Sequence, residues 1–128
     1  CKVYGTDMRV KVSPTGLYTY PDVAALCGEA KFADGMFDTL LNPSLIVEVL
    51  SESTESYDRG RKFAHYRQIP ELQDYLIVAQ DKISIEQFHR QSDSSWLFRE
   101  FTQKEQSLQI ESVQAELLLS DVYDKIEF

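Results

Sequence analysis

A chain of 128 residues that is 43% hydrophobic and 27% charged, with 7 Tyr and 7 Phe, is that of a folded domain burying about two-thirds of its unfolded surface, which excludes a disordered tail. A net charge of -8, from 13 basic and 21 acidic residues, excludes a protein that coats nucleic acid nonspecifically, because that affinity comes from neutralising phosphates; a local basic patch stays compatible. No apolar run approaches the ~20 residues of a membrane-spanning helix, and Cys1 and Cys27 are too few for a zinc site or a disulfide framework, so we expect free thiols, a cytoplasmic setting and no membrane partner. The chain starts with Cys rather than Met, and we expect one domain over residues 1–128 that lacks an N-terminal segment.

Asp7 to Val12 alternates apolar and charged residues with period two, the pattern of a strand with one wet face. Ser13-Pro14-Thr15-Gly16 is turn chemistry. Tyr18 to Cys27 reads as a second strand, with Pro21 confined to its start, a bulge or an edge, and with Asp22 its only charge. On it Tyr20, Asp22, Ala24 and Leu26 share one face. Gly28 to Leu41 has no firm periodicity and is expected as a connecting loop. Leu45 to Leu50 is a compact β-branched run, a strand buried on both faces and interrupted by one acid, Glu48.

A helix is expected to begin at Ser53 or Thr54, either of which can cap it, with Glu55 in the first turn, and to end before Ile69-Pro70. It carries an apolar stripe of Phe63 and Tyr66, with Ile69 beyond, and the basic residues Arg59, Arg61, Lys62 and Arg67. Gln73 to Gln80 reads as a buried strand, and Ile83 to Phe88 with Trp96 to Phe101 as a hairpin. A short strand near Leu108 to Val113 leads to Leu117-Leu118-Leu119, and the tail from Ser120 to Phe128 is expected as a short helix capped by Ser120. The order of elements predicts an α/β domain, one mixed sheet with helical cover.

The chemistry centres on Asp22 and Glu48, each the lone acid of an apolar strand. An isolated buried carboxylate is costly unless paired, protonated or bound to a cation. If the strands neighbour one another, about 4.8 Å apart, the two carboxylates meet. A divalent cation with hard oxygen ligands relieves their repulsion, and Mg²⁺ needs only one or two protein carboxylates if waters and phosphates complete its shell. The other reading is that Arg, Tyr or backbone donors satisfy each acid separately.

Tyr20-Pro21-Asp22-Val23, Asn42-Pro43, Leu45 to Ser51, Ser53-Thr54, Tyr57-Asp58-Arg59-Gly60, Lys62-Phe63 and Tyr66-Arg67, continued through Ile69-Pro70, Tyr75 to Val78 and the Trp96 hairpin, resemble the Uma-two family of restriction-endonuclease-like proteins. The resemblance implies a PD-(D/E)xK nuclease core, a mixed β-sheet flanked by helices, here with an additional antiparallel hairpin. It implies Asp22 and Glu48 as metal ligands, the Val49 carbonyl as a further one, and Mg²⁺ as the cofactor with Mn²⁺ as a substitute. The superfamily's lysine stands two residues after the second acid, where this chain has Leu50. The family's pattern moves that role to the following helix and points to Lys62, which would orient the attacking water and stabilise the phosphorane. An acidic residue on a helix before the first strand is also usual in the family, and that helical segment is the one expected to be missing.

The implied activity is metal-dependent endonucleolytic hydrolysis of nucleic acid, DNA in the first instance, by Asp22, Glu48 and Lys62. The acidic chain suggests a few focused basic contacts and a homodimer. The rival is a non-catalytic nucleic-acid or protein interaction module with a degenerate nuclease fold, which Leu50 favours. Other polar residues carry less: His65 and His89 read as surface residues, Tyr66 and Tyr57 as core more than site, and Trp96 as hairpin packing. Arg59, Arg61 and Arg67 divide between phosphate contacts and a solvated helix face, and Asp7 stays outside the site.

Overall fold

The computed structural model describes residues 1–33, 35–51 and 58–128, and of Met36, Asp58 and Arg59 the backbone alone. Twelve strands form among these residues: β1 (Lys2–Tyr4), β2 (Arg9–Val12), β3 (Leu17–Thr19), β4 (Val23–Leu26), β5 (Phe32–Ala33), β6 (Met36–Leu40), β7 (Leu45–Leu50), β8 (Asp74–Ala79), β9 (Ile85–Arg90), β10 (Trp96–Phe101), β11 (Ser107–Ile110) and β12 (Ala115–Leu118). A π-helical turn, Asp58–Lys62, runs into α1 (Phe63–Tyr66), and α2 (Leu119–Val122) follows β12. No helix among the described residues is long and apolar enough to cross a membrane.

The main sheet has six strands in the order β1-β4-β7-β8-β9-β10. Only β7 and β8 are parallel within it, because the chain between them crosses over through α1, while the other neighbours are antiparallel. A four-stranded sheet, β3-β2-β6-β5, and the hairpin β11-β12 complete the strands. The mixed α/β class and the β9-β10 hairpin agree with the sequence reading.

Alternation along β7 divides its side chains between two cores. Ile46 and Leu50 face one that includes Val10, Val12, Leu40, Tyr66 and Tyr75. Leu45 and Val47 face the other, with Leu108, Ile110, Leu119 and Tyr123 from the β11-β12 hairpin and the segment of α2. Every such side chain contributes about 1.5–3 kcal/mol when fully buried, so β7 is held on both sides. The expected two-faced burial of this strand holds from Leu45 to Glu48 but not at Val49, which is 42% exposed at the strand end; Glu48 falls on the first face at 3% exposure.

Several local expectations are corrected. Gly28 to Leu41 is not a loop: β5 and β6 form there, pairing across a register shift that hides their period from the sequence. Tyr18 to Cys27 is two strands, β3 and β4, because the Tyr20-Pro21-Asp22 segment leaves one sheet and enters the other. The strand expected over Leu108 to Val113 ends at Ile110, where a 3-10 turn, Glu111–Val113, closes on Gln114 with φ 55°. The tail helix starts at Leu119 with no side-chain cap, so Ser120 does not cap it. Cys1 and Cys27 are joined as a disulfide rather than left as free thiols, since the Lys2↔Leu26 register places them opposite one another across β1 and β4. The expected cap at Ser53 or Thr54, Glu55 and Tyr57 lie outside the described residues.

Candidate functional site

β4 and β7 are antiparallel neighbours with Val23 opposite Val47, so the next step of the register sets Asp22, just before β4, opposite Glu48. The adjacency expected of the two acids therefore follows from strand pairing. Asp22 is half-buried at the sheet end, and its Oδ2 accepts the Val49 backbone N–H at 2.7 Å. The Leu50 carbonyl accepts the Gln80 N–H on the β8 side, so alternation turns the Val49 backbone toward β4. The residue opposite Val49 is Pro21, which has no N–H to donate to the Val49 carbonyl. Asp22 takes over one half of a ladder pair that proline cannot complete.

Glu48 is held by the helical segment above the sheet. Tyr66 Oη donates to Glu48 Oε1 at 2.7 Å, and Lys62 Nζ lies 3.4 Å from Glu48 Oε2. Lys62 and Tyr66 are four residues apart, one turn, so both project from the same helical face. Thr19 Oγ1 stands 3.1 Å from Tyr66 Oη; since that hydroxyl's proton goes to Glu48, Thr19 donates, giving a relay from β3 through α1 to β7. Lys62 thus falls inside the ~6 Å range over which opposite charges interact strongly.

Burial holds the Glu48 carboxyl above the ordinary carboxylate range. The Tyr66 hydrogen bond and the Lys62 ammonium oppose that shift, while the charge of Asp22 adds to it. Burial also raises Tyr66, with the Glu48 charge adding, so its hydroxyl stays a donor. Two carboxylates and a backbone carbonyl that proline leaves without a ladder donor form a hard-oxygen set, the chemistry a small divalent cation takes. No group of three or more His, Cys, Asp or Glu side chains suited to a metal occurs among the described residues. The fit thus rests on Asp22, Glu48 and Val49.

A cavity of about 540 Å³ adjoins Lys62, lined by Leu17, Tyr18, Thr19, Arg61, Lys62 and His65. His65 Nδ1 is 2.9 Å from Thr15 Oγ1, tying α1 to the β2-β3 turn. Arg67 points elsewhere, its guanidinium 5.5 Å from the Phe63 ring centre. Trp96 packs edge-on to Phe63 and under Arg90, which agrees with hairpin packing. Asp7 is exposed in a turn, apart from the site.

His89 was expected at the surface, and the structure corrects this. It is half-buried on the opposite sheet face, with Nδ1 2.9 Å from Oδ1 of the fully buried Asp74. Gln87 Nε2 donates to the same Asp74 oxygen at 3.2 Å, and Ser112 Oγ donates to the other at 2.7 Å. This cluster ties the 3-10 turn to the sheet. Sequence reasoning passed over it, and it ranked Tyr66 as core more than site. The available signal was chemical: a Tyr on a buried stripe needs a hydroxyl partner, and Glu48 is the buried acceptor.

Two proteins of Synechocystis sp. are similar along the sequence. The chain is 35% identical to "Uncharacterized protein slr1290" over 128 residues, all of this chain and 66% of that protein. It is 39% identical to "Uncharacterized protein sll1609" over 99 residues, 77% of this chain and 56% of that protein. The chain thus spans less than two-thirds of either relative. Among solved structures, one described as a "putative nuclease belonging to DUF820 from Anabaena variabilis" superposes with a TM-score of 0.72 at 12% identity, over 95% of this chain and 67% of that one, which shows a shared fold. Residues 1–120, nearly the whole length and both acids included, match the family described as "Uma2: Putative restriction endonuclease", and the chain belongs to that family.

Proposed function

We propose that this chain is a Mg²⁺-dependent endonuclease that hydrolyses phosphodiester bonds of DNA at Asp22, Glu48 and Lys62. The observation that carries the proposal is the buried Glu48 carboxylate, opposite Asp22 in the strand register and 3.4 Å from the Lys62 ammonium. The family's description and the nuclease fold neighbour support the same reading. Mg²⁺, when bound, would polarise the phosphate and acidify a coordinated water.

The chain's own residues supply the rest. Asp22 and Glu48 present the oxygens, and Tyr66 fixes one Glu48 oxygen by hydrogen bonding, which limits the directions open to the other. Lys62 is a quarter exposed, with its stem on the packed helix and its ammonium between Glu48 and the cavity. From there it can hold a water for in-line attack and offset charge developing on phosphate oxygens. The position two residues after Glu48 is occupied by Leu50, a core residue, so Lys62 takes the place a strand lysine would fill.

The test is cleavage of labelled single-stranded and duplex DNA with Mg²⁺ or Mn²⁺. Wild type should cleave, and Lys62→Met should lower the rate by about 10²–10³, the effect of removing one preorganised charge-stabilising donor, while sparing Mn²⁺ binding. No cleavage of either DNA by wild type, or an unchanged rate in Lys62→Met, would overturn the proposal.

A further inference from the structure

We propose that this chain pairs with a second copy of itself through β10, antiparallel about a two-fold axis at Phe98. β10 ends the six-stranded sheet and pairs on one side alone, with β9, in an unbroken register from Trp96↔Arg90 to Phe101↔Ile85. The Ser95 carbonyl accepts the Gln91 N–H, while the Arg90 N–H goes the other way, to the Gln73 carbonyl on the β8 side. Alternation therefore turns the backbone of Leu97, Arg99 and Phe101 toward β9. That of Trp96, Phe98 and Glu100 points outward, where no backbone partner meets it among the described residues. Natural sheets blunt such an edge by shortness, proline, a bulge or charge. The opposite edge, β1, has three residues, whereas β10 has six, with neither proline nor bulge.

The side chains select the partner and the register. Ile46, Tyr75, Phe88 and Phe98 stand opposite one another across β7, β8, β9 and β10, with ring centres 6.2 Å apart from Tyr75 to Phe88 and 5.1 Å from Phe88 to Phe98. This row stops at the edge with Phe98 47% exposed. A two-fold antiparallel pair keeps side chains on their own face when the axis passes at a residue, so the longest overlaps of β10 centre on Phe98 or Arg99. The second sets arginine against arginine, which is unfavourable. The first sets Phe98 against its own copy and continues the row into the second molecule. It also sets Glu100 opposite Trp96 of the copy, beside the Arg90 guanidinium that lies 4.5 Å from that ring's centre. Within the chain, the hydrogen bonds of Arg90 go to the carbonyls of Arg67, Ile69 and Leu72, and Glu100 stands opposite another acid, Glu86. Each acquires an opposite charge from the copy.

The experiment is sedimentation velocity of the chain from micromolar to millimolar concentration, with amide hydrogen exchange followed by NMR at both ends of that range. Wild type should dimerise. The Trp96, Phe98 and Glu100 amides, open in the monomer, should exchange more slowly in the dimer, while those of Leu97 and Arg99 are protected in both. Phe98→Lys sets two ammonium groups together at the axis and should raise the dimer dissociation constant at least about tenfold. Glu100→Lys should weaken the dimer likewise by facing Arg90 of the copy, yet its melting temperature as a monomer should not fall, because it removes an acid set against an acid. A merely structural role for either side chain predicts a lowered melt instead, and Glu100→Lys decides the matter if Phe98→Lys does not fold. A monomer at every concentration, a dimer whose three outward amides stay open, or a dimer unaffected by Glu100→Lys would overturn the proposal.

Discussion

Glu48→Gln isolates the charge at the centre of the site with little change in volume. Wild-type Glu48 is 3% exposed, and its carboxyl is raised above the ordinary glutamate value of 4.5, first by burial and further by Asp22. The folded protein therefore keeps the Glu48 proton to higher pH than the unfolded chain does. Stability falls as pH rises through the window that opens near 4.5, and the full cost of the buried charge is present above the raised value. Glutamine removes that cost, and replacing buried charge by a neutral group of similar shape is neutral to stabilising by about 1–4 kcal/mol. Against it stand the charge-assisted part of the Tyr66 hydrogen bond, about 1 kcal/mol, and the Lys62 attraction, at most about 1 kcal/mol for a partner that is 26% exposed and screened. The metal-free variant should lie between about 1 kcal/mol less and about 2 kcal/mol more stable than wild type at neutral pH, a change of no more than roughly 6 °C in Tm. The difference should shrink toward zero as pH drops below the window. Thermal melts from acid to neutral pH in EDTA measure this. A loss of 2 kcal/mol or more at neutral pH would show that Glu48 serves as a structural ion pair and would refute the reasoning.

Two further substitutions probe the supporting groups. Tyr66→Phe removes the donor to Glu48 and leaves Thr19 without its partner in the relay; a cost of about 1.5–3 kcal/mol in urea unfolding is expected, and an unchanged midpoint would show that the hydrogen bond contributes nothing. Asp74→Ala strands Gln87, His89 and Ser112 around a buried void, and a loss of about 3 kcal/mol is expected in the same assay with Mn²⁺ binding unaffected; lost Mn²⁺ binding in a folded variant would mean that the back-face cluster belongs to the site.

The sequence revealed those parts of the fold that rest on long, regular apolar runs. β7, β8 and the β9-β10 hairpin have six-residue strands, and their register follows from side-chain alternation. β1 and β5 have three and two residues, too few for any period to show, and β5 is further masked by its shifted pairing with β6. The two acids stood out because each breaks an apolar run. Tyr66 did not, since a tyrosine on a buried stripe looks like core until its hydroxyl acquires a partner from another strand. Asp74 starts its strand, where an acid ordinarily faces water, and only the arrival of Ser112 and His89 from distant segments makes it a buried anchor. Such contacts are tertiary and carry no local signature.

The most direct test of the account is calorimetric titration of Mn²⁺ into wild type and Asp22→Asn, which keeps side-chain volume while removing one of the two facing charges. Wild type should bind one ion, and the variant, folded by its thermal melt, should lose that binding because Glu48 and Val49 alone do not supply the charge a divalent cation requires. Equal binding by the two proteins, or none by wild type, would contradict a metal centre built on Asp22 and Glu48.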